Sequence, residues 1–298
     1  MLSRIRRARR DGSSASRAES SLVSQMTAVL CVSDIMANEC RARFPGTADR
    51  IHVSPNTPPN EFYGAIRAAR LRPRTDLREA LGLPTDAPIL LYSGNLQPWQ
   101  HLEGLISMAK AWIRSAVDSH VVCVSFSAED LARRLTEGGI PRDRLTVRSV
   151  PNHEVPDYLV AADWLWVVRE ETRINRVACP TKAVEYLISG GRLLISEDLG
   201  DLSDIVRRLG LGIVVSAREA EDPSRLARRI VECTADPAVS GLAPPDDPGE
   251  RRPTQFARGH PRAVLAAALT RGAPECPAPR RRPPGRLAPG AVGPSGPG

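Results

Sequence analysis

Between residues 89 and 234 six short apolar runs alternate with six stretches of helical period, and this alternation limits the fold more than any other feature of the chain. The runs are Ile89–Tyr92, Val121–Phe126, Leu145–Val150, Trp164–Val168, Leu193–Ser196 and Ile213–Val215, all of strand length and partly β-branched. The stretches that follow them are Leu102–Arg114, Ala128–Glu137, Glu154–Ala162, Thr181–Ser189, Leu202–Leu209 and Pro223–Thr234. Parallel neighbours need crossover connections, and strands that are apolar throughout need cover on both faces. The fold class expected is therefore α/β, a Rossmann-like parallel sheet with helices on both faces, spanning about 87 to 236. Ligands of such sheets sit beyond the carboxyl ends of the strands, which directs attention to the residues just after each strand.

Upstream, Ala28–Val32 and Ile51–Ser54 read as two more strands around a helix at Asp34–Phe44, ending in the turn-rich SPNTPPNEF. Two strands are too few for an independent domain, so this piece is expected to be the end of something larger. Residues 237–298 hold 14 Pro and 9 Gly in 62 residues, above the roughly 25–30% that marks low complexity. That tail is expected to be mostly disordered, with Pro261–Thr270 as its one helical stretch. Residues 1–20 are expected to be a disordered basic arm.

The net charge of +7 argues little about partners, because the two ends carry it. Residues 1–18 and 237–298 contribute +5 each, which leaves −3 for the 19–236 body. Aromatic residues make up 4%, with no pairing to basic residues that would stack bases, so no nucleic-acid partner is expected. The six cysteines form no CxxC and the five histidines no HExxH, so reduced thiols, no metal and no cofactor are expected. No apolar run approaches the eighteen or so residues of a membrane span, and the Arg-rich start leads into Ser rather than an apolar signal core. A cytoplasmic protein without a transmembrane segment follows. The amino-terminal Arg run is able to make weak peripheral contact with anionic lipid, although a basic arm explains it as well.

The most informative stretch is Asn175–Gly190, NRVACPTKAVEYLISG. Pro180 stands where a helix begins, at the first helical position, where its fixed φ helps and its missing N–H costs nothing. The backbone N–H groups of Thr181 and Lys182 then face outward from the positive end of the helix dipole, and the Lys182 ammonium adds a full charge to this anion site. Glu185, three residues on, shares that face and is able to accept hydrogen bonds from vicinal hydroxyls, as acidic residues do for nucleotide ribose. The plain alternative is a solvated Lys/Glu pair at a helix start. Against it stands the use of lysine itself: the chain has only Lys110 and Lys182 beside 39 arginines.

With its flanks VPNHEVPDYLVAADWLWVV and DLGDLSDIVRRLGLGIVV, the segment NRVACPTKAVEYLISGG resembles the donor half of group 1 glycosyltransferases, also called glycosyltransferase family 4. LLYSGNLQPWQHLEGLI is similar to that family's first donor-domain strand and turn, and AVLCVSDIMANECRARFPGTADRIHVSPNTPPNEF to the last part of its acceptor half; the match runs over about 27–236. The resemblance implies a GT-B fold, two facing Rossmann domains with a nucleotide-sugar donor in the cleft. It implies donor contacts from Gly94 and Asn95 after the first strand, from Asn152 near the base, from Pro180, Thr181 and Lys182 on the diphosphate, and from Glu185 on the ribose. Lys182 would be the catalytic group, because the family transfers sugar with retention and without an essential metal, leaving fixed positive charge to stabilise the departing diphosphate. On this reading the chain divides into the arm at 1–20, a remnant of the acceptor domain with its linker at 21–75, a donor-binding domain at 76–236 and the tail at 237–298. A separate acceptor-domain polypeptide is then the protein partner to look for.

Departures from the family pattern carry information too. Many members place an Arg directly after the first-strand Gly and a Lys five residues later, whereas this chain has Asn95 and Gln100. The first Glu of the family's paired-Glu motif would fall at Val177; Glu170, Glu171 and Arg173 in the long Arg169–Cys179 loop are the candidates to replace it. His153 and Glu154 adjoin the site but read as residues of a helix's first turn, and Asp198, Asp201 and Asp204 as a loop and helix cap. Trp164 and Trp166 read as packing residues, while Trp99 lies in the turn after the first strand and is the one to watch. Two rivals remain. A nicotinamide-dependent oxidoreductase needs G-x-G-x-x-G after the first strand, and SGNLQPWQ has one Gly and a Pro. A non-catalytic orphan donor domain, binding nucleotide or a partner, fits a shortened acceptor half.

Overall fold

The structure is a computed structural model that describes residues 18–97, 100–116 and 118–235. Trp99, the 237–298 tail and the Pro261–Thr270 stretch lie outside the described residues. Six parallel strands form the main sheet: β3 (Ile89–Ser93), β4 (His120–Val124), β5 (Leu145–Arg148), β6 (Trp164–Val167), β7 (Arg192–Ser196) and β8 (Gly212–Val215). Their order is β5-β4-β3-β6-β7-β8, so the strand order reverses between β3 and β6, which pair directly at Leu90 with Trp164 and Leu91 with Leu165. A crevice at such a reversal is where open α/β sheets bind ligands.

Both faces of the sheet are covered, as the unbroken apolar strands require. On one face Leu90, Tyr92, Val121, Cys123, Trp164 and Trp166 pack against α5 (Leu102–Ser115), α6 (Ala128–Glu137) and α12 (Pro223–Ala235). The other face, with Ile89, Leu91, Val122, Leu165, Val167 and Ile195, meets α3 (Asn60–Ala69), α4 (Arg74–Ala80), α7 (Val155–Ala161), α9 (Thr181–Ser189) and α10 (Leu202–Leu209). Helices α3 and α4 lie across the 75/76 boundary drawn from the sequence, and Phe62, Ile66 and Leu77 bury in this same core. Two short helices complete the set, α8 (Arg173–Arg176) and α11 (Ala217–Glu221).

The upstream piece is a parallel pair, β1 (Val29–Cys31) and β2 (Ile51–Val53), joined by α2 (Asp34–Arg43) and a 3-10 turn at Pro45–Arg50. It has a small core of Cys31, Ala37 and Ile51. A helix over 18–25, α1, begins inside the 1–20 segment read as unstructured, so that expectation fails for residues 18–20. Composition missed the local pairing that holds it: Glu19 meets Arg43 at 2.7 Å, and Arg50 donates to the carbonyls of Ser24 (3.3 Å) and Met26 (2.6 Å).

The pair is fastened to the main unit by polar contacts rather than a broad apolar face. Asp201 accepts from the N–H groups of Asp34 (2.6 Å) and Ile35 (3.3 Å), so it caps α2 from across the chain instead of its own α10. Ser33 accepts from Met36 N–H and donates to the Val177 carbonyl at 2.7 Å, and the Asn56 amide donates to the Cys179 carbonyl at 2.7 Å. Glu39 takes Arg173 (2.9 Å) and Arg176 (3.0 Å). These contacts all converge on the Arg169–Cys179 loop and the start of α10.

Candidate functional site

Helix α9 spans Thr181–Ser189 as its period suggested, but Pro180 lies just outside it. Pro180 (φ −64, ψ 123) is its N-cap, not its first helical residue, because its extended ψ keeps it outside the helix while its carbonyl already accepts from Ala183 N–H at 3.0 Å. The consequence is favourable to anion binding. Thr181 and Lys182 become the first two helical positions, whose N–H groups have no partner within a helix. The helix closes at Gly190 (φ +86).

Lys182 lies over the face of Tyr92, its ammonium 4.7 Å from the ring centroid, and donates to Gln100 Oε1 at 2.6 Å. Burial first and the charge of Arg169 second push its pKa down to about 7, with Glu185 acting in the other direction. Gly94 completes the cradle: its φ is +151, and a Cβ there would come within 2.8 Å of Lys182 Nζ and 3.2 Å of Tyr92 Oη. Only glycine fits both the conformation and the space. The Tyr92 hydroxyl donates to the Asn95 carbonyl at 3.0 Å, and Tyr186 from α9 reaches back to Ser93, accepting from its N–H at 2.8 Å. The turn after β3 is thus stitched to α9 across the strand reversal.

Glu185 is half-buried on the next turn, its pKa raised by burial and held back by Lys182. Near it stands Tyr63 of α3, whose hydroxyl is buried without a hydrogen-bond partner and whose pKa is pushed up to about 12 by burial and by Glu185. Of the sequence candidates, Gly94, Asn95, Pro180, Thr181, Lys182 and Glu185 thus come together, joined by Gln100. Asn152 is exposed in the loop between β5 and α7. Two of the candidates to replace the motif Glu, and the motif position itself, have partners elsewhere. Arg173 is engaged by Glu39, Glu170 lies 3.9 Å from His101 Nδ1, and the Val177 carbonyl accepts from Ser33. His101 itself is an unusual N-cap for α5, with φ +51. His153 and Glu154 form an exposed pair 3.8 Å apart ahead of α7.

The sequence reading missed Arg169 and Tyr63. Arg169 follows β6 by two residues, and its local signal was only its place after a strand. Tyr63 had none, because α3 was hidden behind the Pro-rich turn.

Comparison with known proteins followed the same direction. No family model matches the chain. It is 26% identical over 220 residues to the alpha-D-kanosaminyltransferase of Streptomyces kanamyceticus, covering 72% of this chain and 54% of that protein. It is 29% identical over 191 residues to the D-inositol 3-phosphate glycosyltransferase of Xylanimonas cellulosilytica, covering 59% and 45%. The chain therefore spans about half the length of the curated relatives it matches. Among solved structures it superposes on WaaG, a glycosyltransferase involved in lipopolysaccharide biosynthesis, with a TM-score of 0.58, 16% identity and coverage of 82% of this chain and 62% of that one. Anabaena HepE, solved in complex with UDP and glucose, gives a TM-score of 0.54 at 17% identity over 86% and 66% of the two chains. At such identity the structural likeness is one of fold.

Proposed function

We propose that this chain, related in sequence to the group 1 glycosyltransferases and GT-B in fold, binds a nucleotide-diphosphate sugar at the reversal between β3 and β6. Its own residues would hold the donor as follows. The N-terminus of α9 and the Lys182 ammonium take the diphosphate, Gly94 lets the chain after β3 approach it closely, and Glu185 accepts from the ribose hydroxyls. Lys182 is the catalytic group, because in a metal-independent retaining transfer fixed cations must stabilise the diphosphate as it leaves. The observation that carries this reading is the cradle itself: a half-buried lysine at the start of a helix, lying over the Tyr92 ring and beside a glycine whose φ of +151 would strain any side chain.

Transfer needs more than a donor site. The acceptor must be held against the anomeric carbon, and such alignment is worth roughly 7–11 kcal/mol of barrier. We infer that the missing wall comes from outside these 298 residues, for instance a separate acceptor-domain polypeptide, and that the chain alone binds donor without transferring sugar.

Calorimetric titration with UDP, GDP and their sugars tests the donor site. Wild type is expected to bind, and Lys182→Ala to lose roughly 1–3 kcal/mol of binding as a charge-assisted contact disappears. Equal affinity in the two proteins would remove the site. Labelled product from the purified chain incubated with radiolabelled nucleotide-sugars and glycan acceptors would overturn the inference that it does not act alone.

A further inference from the structure

We propose that Arg169 is the second cation of the diphosphate site, acting with Lys182 in place of the positive charges that Asn95 and Gln100 do not supply. The inference rests on the donor-binding reading above and adds a residue to it. Its first support is position. β3 and β6 are adjacent strands where the sheet order reverses, and Arg169 lies just past the carboxyl end of β6 as Gly94 lies just past that of β3. The two loops therefore flank one crevice.

The second support is how the residue is held. Its backbone is fixed by Ser196, whose hydroxyl accepts from Arg169 N–H at 2.6 Å and donates to the Arg169 carbonyl at 3.1 Å. The guanidinium is half-buried and donates to the neutral Asn175 Oδ1 at 3.3 Å. Its charge reaches Tyr92, Tyr186 and Lys182, which places it among the residues that line the cradle.

The third support is what is missing. Buried arginines that tie the fold together find a carboxylate: Arg74 and Arg78 share that of Asp163. An unbonded Nε does not set Arg169 apart, since Arg74 has one as well. The difference is that no carboxylate forms an ion pair with Arg169 or Lys182 among the described residues: burial lowers both pKa values, and the Arg169 charge lowers that of Lys182 further than burial alone, against the opposing pull of Glu185. Such an arrangement is costly until an anion enters to neutralise both. A diphosphate, with negative oxygens on two phosphorus centres, is an anion able to span two cations.

The test is a titration of inorganic pyrophosphate and of UDP into wild type, Arg169→Met, Arg169→Gln and Lys182→Met. Arg169→Gln keeps a donor for Asn175 and so guards against a variant that fails to fold. Both Arg169 variants are expected to bind pyrophosphate and UDP about tenfold or more weakly than wild type. In the free protein they should also raise the pH at which Lys182 titrates, which reports that the two charges share one crevice. If Lys182→Met loses binding while the Arg169 variants keep wild-type affinity, the Arg169 assignment falls and the donor site stands. If wild type binds neither anion, both fall.

Discussion

Strands β3 and β6 lie side by side, and their two ends treat charge in opposite ways. At the amino end Asp163, just ahead of β6, accepts from Arg74 (2.5 Å), from Arg78 (2.9 Å) and from the Ile89 N–H that starts β3 (2.7 Å). Arg78 also donates to the carbonyls of Ala161, Thr85 and Ala87. At the carboxyl end Lys182 and Arg169 face the same two strands with only neutral partners, Gln100 and Asn175. The first arrangement centres on a carboxylate and ties α4 to the sheet. The second has no carboxylate hydrogen-bonded to it among the described residues, as a charge kept for a ligand requires.

Removing the closed end should have the largest effect. Asp163→Ala leaves two buried guanidiniums without their carboxylate, and breaking a buried pair in this way costs about 3–5 kcal/mol. Denaturant unfolding is expected to show that loss, while the fraction still folded binds UDP as wild type does. A loss of UDP affinity in folded protein would mean that the two ends are not separable.

A smaller effect is expected where the upstream pair joins the main unit. Asp201→Ala removes the carboxylate that caps α2, and a lost cap costs about 1 kcal/mol. Hydrogen exchange should quicken in α2 and β1 and remain unchanged in β3 to β8. Equal quickening throughout would show one cooperative body rather than a tethered pair.

The smallest effect belongs to Glu39. Arg173 and Arg176 hold its carboxyl below the usual carboxylate range, but both arginines are open to water and Glu39 is only half-buried. Because the folded-state pKa is lowered, the small stabilisation is present above the unfolded glutamate range and fades as pH falls through it. Glu39→Gln is therefore expected to change the melting temperature by no more than a degree or so at neutral pH.

Most of the sheet was legible in the sequence. The unbroken apolar strands and the limits of α6, α9 and α10 coincide with the structure, because apolar period and local helix signals decide them. Where the reading slipped, tertiary pairing had decided. β4 starts at His120 and stops at Val124, leaving Phe126 exposed beyond the strand. Helices α3 and α4 went unseen because Arg74 and Arg78 look like surface residues until Asp163, more than eighty positions away, is placed against them. The site shows the same division. PTKAVE announced a helix start with a lysine and a glutamate, whereas the bond from Lys182 to Gln100, the approach of Tyr63 to Glu185 and the direction of Arg169 depend on how distant segments meet.

If the cations at the carboxyl end stay incompletely neutralised until a diphosphate arrives, Lys182 reports on this directly. With two lysines in the chain, ¹³C-lysine labelling gives two signals to follow by NMR as pH changes. In the free protein the Lys182 signal is expected to titrate near 7. A bound diphosphate favours the ammonium, so with saturating UDP the midpoint should rise by about one pH unit or more. Binding above pH 7 should then take up a proton, and affinity should fall as pH rises through that window. A Lys182 midpoint near that of free lysine without ligand, or one that stays put with UDP bound, would contradict the account.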